Sequence, residues 1–374
     1  MTQEGVGQDD SRESISRGGY CFVALWAAGL FLLYALGGYF GVRTLQGYRA
    51  ETEKSREALI ESQTIEPGTK APEIRVSKKP VEVQVGIYVN RIGEFGAREG
   101  GWTADFDIWF RWTDARIRPG ETFQLVNGEV HQREKKETYA RGRERYERYR
   151  VRARITKFFD PSRFPFSDEV LTIQVEDGAR GEEKLRYVAE DRGSGISPLG
   201  IPRHLAFPKT LATVKYHSPE SARDDPRIPP GTAEVHSRFI FAMLGKIPGL
   251  QIYLRNFQAL FASVAVALIV FFIRPIHVDP RFGLGVGAFF AAIANNIFVG
   301  TSLPPIARLS LTTLVNTLGL ATIFLTLVQS TISLYIEDTM GREKLGRFFD
   351  QVSFSVFLIG YAATNLLLPL AAKS

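Results

Sequence analysis

Five histidines and one cysteine are the chain's candidates for metal or thiol chemistry, and their spacing supports neither. His131, His204, His217, His236 and His277 are scattered without the short intervals a shared metal ion needs, and each reads as an isolated exposed or hydrogen-bonded side chain. Cys21 stands alone inside an apolar stretch, so it forms no intrachain disulfide and no cysteine-based metal site. There is no CxxC, HExxH, Walker-type phosphate loop or GxSxG elbow, and no nucleophile–base pair. The sequence therefore predicts no catalytic residue, no metal and no cofactor. Gly283, Gly285 and Gly287 imitate a dinucleotide fingerprint, but they lie in an apolar span with no strand before it, where glycines serve close helix packing.

The chemistry that remains is that of charge and aromatic faces. In DFDIWFRWTD (105–114), Asp105, Asp107 and Trp109 alternate with Phe106, Ile108 and Phe110, so a strand here turns two carboxylates and an indole away from its own core. Residues 133–157 hold 11 Lys/Arg against 4 Asp/Glu, and Arg150, Arg152 and Arg154 share one face of a strand. That face could take a carboxylate; a solvated sheet face or a vestibule wall is the plainer reading. On a helix through the third apolar stretch, one face carries Gly283, Gly287, Phe290, Ala294, Ile297 or Phe298, and Thr301, with Asp279 and Arg281 at its start. Taken alone, such a stripe is bundle packing.

Charge distribution shows which elements must carry these residues. The net charge is +6, yet five stretches have no Asp, Glu, Lys or Arg: 25 residues after Arg17, 18 after Arg255, 26 after Arg281, 28 after Arg308 and 22 after Asp350. A bilayer core needs about 20 apolar residues as helix, so each stretch can span. Residues 1–18 form a polar tail. The run at 19–42 is longer than the 7–15 residues of a signal core, which favours a retained anchor over a signal peptide cut near Ala35 and Gly37. Residues 43–79 are a charged helical segment and linker, ended by Glu66, Pro67 and Gly68. From 80 to 252 the period changes to two, as in Val81, Val83, Val85, Ile87 and Val89, in Val151, Ala153 and Ile155, in Leu171, Ile173 and Val175, and in Val235, Phe239 and Phe241. Repeated strands with Gly/Pro-rich connections read as a β-sandwich. Residues 253–374 return to helical spans. Arg274, His277 and Arg281 in one connection, and Arg342, Lys344 and Arg347 in another, set those loops inside and the sandwich outside. Nucleic acid is not an expected partner, because the basic segment lies outside the membrane.

Three motifs, by their order and spacing and with four spans in the right places, resemble the pentameric ligand-gated (Cys-loop receptor-like) channel superfamily. The strand ending in Trp112–Thr113–Asp114 is similar to the family's second strand. FFDPSRFPFSDEVLTIQVED (158–177) resembles its Pro-loop, with Phe164, Pro165 and Phe166 at the core. PRFGLGVGAFFAAIANNIFVGTSLPP (280–305) resembles the pore-lining helix and the turn after it. The resemblance covers about residues 80–374. Lys157 and Leu171 stand where the family's bridged cysteines would be, as in prokaryotic members. Ser167 replaces the aspartate after Phe-Pro-Phe, the basic residue before the first pore-domain helix is Lys246 rather than arginine, that helix lacks the usual proline, and the anchor at 19–42 is an addition.

The resemblance implies a mixed multi-domain membrane protein: an extracellular antiparallel, immunoglobulin-like β-sandwich and a four-helix transmembrane bundle, preceded by one more transmembrane helix, in a bacterial inner membrane with the sandwich in the periplasm. It implies a homopentamer that passes monovalent cations across a lipid bilayer and answers a small-molecule or ionic agonist. Asp279, Gly283, Gly287, Phe290, Ala294, Ile297, Phe298 and Thr301 would line the pore, with apolar rings able to close it by dewetting. Asn295 and Asn296 would bond between helices. Asp105, Asp107, Trp109, Arg150, Arg152, Tyr216 and His217 would flank a ligand between subunits, although the loop after Val175 lacks the aromatic that an amine site uses. Asp160, Phe164, Pro165, Phe166, Lys246, Pro304, Pro305 and Arg308 would couple sandwich to pore. A pentameric receptor that senses without conducting is the alternative.

Overall fold

The computed structural model describes residues 15–60, 80–96, 100–181, 184–202, 205–217, 235–301, 303 and 308–373. Its described residues sort into two compact units. One takes those up to 46, from 251 to 301 and from 308 to 373; the other takes those from 47 to 250.

The second unit holds two β-sheets. β1 (Val81–Gly96), β2 (Gly101–Trp112), β4 (Gly128–Arg141), β5 (Glu144–Thr156), β7 (Leu185–Ala189) and β8 (Gly195–Ile196) form one, in the order β4-β5-β2-β1-β7 with β8 also on β1. β3 (Phe123–Leu125), β6 (Glu169–Asp177), β10 (His236–Lys246) and β9 (Ala206–His217) form the other, in the order β3-β6-β10-β9. The short helix α2 (Pro119–Thr122) leads into β3. Alternation puts Val83, Val85, Ile87, Phe106, Ile108, Phe110, Val151 and Ile155 of the first sheet into one cluster with Leu171, Ile173, Val175, Phe239 and Phe241 of the second. The expectation of a purely antiparallel fold is corrected at β1, whose neighbours β7 and β8 run parallel to it. β4 was not expected. Its residues from Gln132 to Arg141 are exposed on both faces, so it carries no apolar alternation, and it is held by ladder bonds to β5. The two strands join through a two-residue turn at Gly142, whose φ of +60° suits glycine.

The other unit is helical. α1 (Arg17–Ile60) contributes its first part, with α3 (Gly249–Ile269, from residue 251), α4 (Val278–Thr301), α5 (Leu311–Leu334, continued by a π turn over Tyr335–Thr339) and α6 (Glu343–Ala372). These five helices are each long and apolar enough to cross a membrane. The two segments read separately at 19–42 and after 43 form one helix, whose N-terminal Ser16 Oγ accepts from the Gly19 N–H at 3.3 Å. α1 runs parallel to α6 in one register. A Cβ at Gly19 would meet Leu345, Val23 and Trp26 pack with Phe349, Gly360 lies under the Tyr34 ring, and Gly38 and Gly41 face Thr364 and Leu368. The Tyr34 hydroxyl also shares a hydrogen bond of 2.7 Å with Thr322 of α5. Gly319 of α5 packs against Leu260 of α3, and Gly285 of α4 against Leu327 of α5. A Cβ at Gly283 or Gly287 would meet nothing within 4 Å among the described residues, so within them the middle of the three glycines is the one that serves close packing.

Phe241 is 1 % exposed in the β-unit core. Phe241→Ala removes contacts from both sheets and should destabilise that unit by about 3–5 kcal/mol, read as a lower unfolding temperature of the purified protein. A shift under a degree would show that the two sheets do not depend on one core.

Candidate functional site

Within the helical unit, α4 has two unlike faces. Arg281, Gly285, Ala288, Ala292, Asn295 and Val299 are buried against the chain's own helices. Gly283, Gly287, Phe290, Ala294, Ile297, Phe298 and Thr301 are all exposed, Phe290 at 66 %, and Asp279 at the helix start is exposed with them. All the residues expected to line a pore therefore share the uncovered side. Asn296 is exposed too, whereas Asn295 is buried and its Nδ2 donates to no partner among the described residues.

The sequence could not show which way Arg281 turns. It is fully buried: Nη1 and Nη2 donate to the two oxygens of Asp350 on α6, each at 3.0 Å, and Nη1 also donates to the Ile273 carbonyl at 2.8 Å. Gln329 Nε2 of α5 donates to the same Asp350 at 2.7 Å. The positive charge is thus neutralised inside the unit, and Asp279 is left as the exposed charge at that end of α4. Sequence reading took Asp350 as the boundary of a span. A signal existed: Arg281 is the fourth residue of α4 and Asp350 the eighth of α6, two opposite charges near the starts of helices that the charge pattern of their connections set to begin at one end.

In the β unit, Asp105, Arg150 and Arg152 do come together on the outer face of the first sheet. Arg150 Nε and Nη2 donate to Asp105 Oδ1 and Oδ2, both at 2.9 Å, and Arg152 lies at 3.6 Å. Hydrogen bonds from Arg150 hold the Asp105 carboxyl below the usual carboxylate range. Asp107 pairs with Arg150 across the strands. Trp109 does not join them. Its indole lies over Gly86 and Gly193 and donates to Glu190 Oε2 at 2.8 Å, a partner the sequence did not suggest. Tyr216 and His217 are on β9, in the other sheet, so one chain does not assemble the expected ligand residues into one site.

The Pro-loop is built tightly. Asp160 Oδ1 accepts from the Ser162 N–H at 2.9 Å and opens a 3-10 turn, Phe164–Pro165 is cis, and Pro165 is buried. A Cβ at Gly249 would stand 2.7 Å from the Pro165 carbonyl and 2.8 Å from Phe166. Only glycine fits there, another residue that sequence reading missed. Lys246 is exposed at the end of β10 and Arg308 is exposed before α5; Pro304 and Pro305 lie outside the described residues. After the loop, Glu169 is surrounded by Leu171, Leu205, Phe207 and Ile247, and burial pushes its carboxyl above the ordinary value, which Lys157 at 3.5 Å only partly offsets. Among the described residues no group of His, Cys, Asp and Glu could hold a metal ion.

No protein-family model matches the chain, and no curated protein matches it.

Two outcomes follow from this geometry. Asp350→Ala strands a buried guanidinium and should destabilise the helical unit by about 3–5 kcal/mol, whereas Arg281→Met with Asp350→Leu should recover most of the loss; thermal unfolding in detergent reads both. Glu169, with its folded pKa raised, stabilises fully below the unfolded value of about 4.5 and loses that contribution as pH rises through the folded one. Glu169→Gln should therefore raise the unfolding temperature at pH 7 and flatten its decline above pH ~4.5; a pH series of melts that leaves the two proteins parallel would refute this.

Proposed function

We propose that this chain is one subunit of a homopentameric ligand-gated ion channel of the Cys-loop receptor-like kind. In this reading the two sheets are an immunoglobulin-like sandwich outside a bacterial inner membrane, and α3–α6 are the four-helix pore domain. The observation that carries it is the uncovered side of α4. A helix that turns Gly283, Gly287, Phe290, Ala294, Ile297 and Thr301 away from every helix of its own chain needs lipid, water or other copies there. Five copies around an axis would stack those residues as rings. Phe290 and Ile297 would form apolar constrictions that close by dewetting, and five Asp279 carboxylates would draw cations to the mouth. The inward turn of Arg281 removes the one charge that would oppose them. The agonist would bind between subunits, with the Asp105–Arg150 face of one copy against Tyr216 and His217 of its neighbour. It can act only by binding the open and closed states unequally.

The bulk of Phe290 and Phe298 also favours a second reading, a pentameric receptor that senses without conducting. Reconstitution into bilayers under opposed ion gradients separates the two. Under the channel reading, Phe290→Ser raises resting current severalfold and Asp279→Asn moves the reversal potential toward that of an unselective pore. An oligomer that is not fivefold, or bilayers that stay silent with Phe290→Ser across ligand and pH screens, would end the channel reading.

A further inference from the structure

α1 is the element that the resemblance does not explain. Its 44 residues make a helix about 66 Å long, more than twice the ~30 Å of a hydrocarbon core. In the helical unit, its buried stripe of Gly19, Val23, Leu30, Tyr34, Gly38, Gly41 and Leu45 is shaped to helices of the same chain. A cleaved signal would leave the notch at Gly360 and the hydroxyl of Thr322 without the Tyr34 side chain that fills one and bonds the other.

In the β unit, the later turns of the same helix meet the Pro-loop. Arg56 Nη1 stands 3.9 Å from Asp168 Oδ2, with both side chains partly covered. Arg163, only 3 % exposed, has Arg49 and Glu53 of α1 among its charged neighbours, beside Asp160 and Asp168 of its own loop. Arg49 and Glu53 also pair with each other at 3.0 Å. Charged groups from two successive turns of α1 thus face one loop that carries both signs.

We propose that α1 is an uncleaved fifth span whose charged end braces the Asp160–Asp168 loop, so that the chain carries its own modulator of that loop. The brace acts through opposite charge, from Arg56 to Asp168, and through the paired Arg49 and Glu53 beside Arg163. It stands whether or not α4 lines a conducting pore, and both readouts below are independent of current.

The intact mass of the full chain purified from membranes should include residues 17–60; a mass that shows a new N-terminus after Ala35 would overturn the proposal. Amide exchange over residues 160–168 should speed up about two- to fivefold in Arg56→Glu and in Asp168→Lys, as suits a partly exposed pair. The double variant R56E/D168K, with the charges exchanged, should return toward the original rate. Single variants that exchange like the parent, or a double variant that stays as fast as either single, would show that the loop does not depend on α1.

Discussion

A buried charge has to be paired, and in this protein the pairing of Arg281 with Asp350 turns one side of α4 inward. Left without its partner, a buried guanidinium is strongly destabilising. Bound to two carboxylate oxygens and to the Ile273 carbonyl, with Gln329 of α5 donating to the same Asp350, it turns one side of α4 toward α5 and α6. The small residues that follow at helical spacing, Gly285, Ala288 and Ala292, are buried, and Gly285 lets Leu327 of α5 approach. The opposite side is then uncovered by geometry, whatever it meets. A buried pair adds little net stability compared with apolar residues of the same shape. In the rotation that α4 adopts, the two charges satisfy each other.

The β unit pairs charges as well. Its core is apolar and shared between sheets, with charged groups both on its outer face and under cover. Asp105 is held by Arg150 on the outer face, whereas Glu147, buried on the same side of β5 as Tyr149 and Val151, is held by Lys135 and the Tyr149 hydroxyl. A face already paired in this way offers an incoming ligand exchange of partners rather than vacant charges. The Arg152 side chain, more exposed and farther from Asp105, is the cation left with most freedom in that group.

Elements with one wet and one dry face were legible in the sequence. The strands around Val81–Val89, Ala104–Trp112, Val151–Ile155 and Leu171–Val175 all fall where period-two alternation puts them, and the apolar stretches all became helices. β4 was illegible because both its faces are wet, so nothing in its pattern records the ladder that holds it. The partner of Arg281 was illegible for another reason: 69 residues separate it from Asp350, and periodicity describes only near neighbours. The residues singled out on α4 share its exposed side, whereas Trp109, expected to face a ligand, is taken up by Gly86 and Glu190 from elsewhere in the chain. Local pattern reports burial well and reports who does the burying poorly.

The parallel register of α1 with α6 bears on how the protein is made. The first of the described helices to leave the ribosome fits against the last, about three hundred residues later. At the usual pace of about 5–20 residues per second, that interval is roughly 15–60 s. Until α5 and then α6 emerge, the small-residue side of α1 has only lipid, or another membrane protein, to meet. Biogenesis thus ends with a late docking step, during which any factor that shields small-residue grooves in the bilayer would act on this helix before any other.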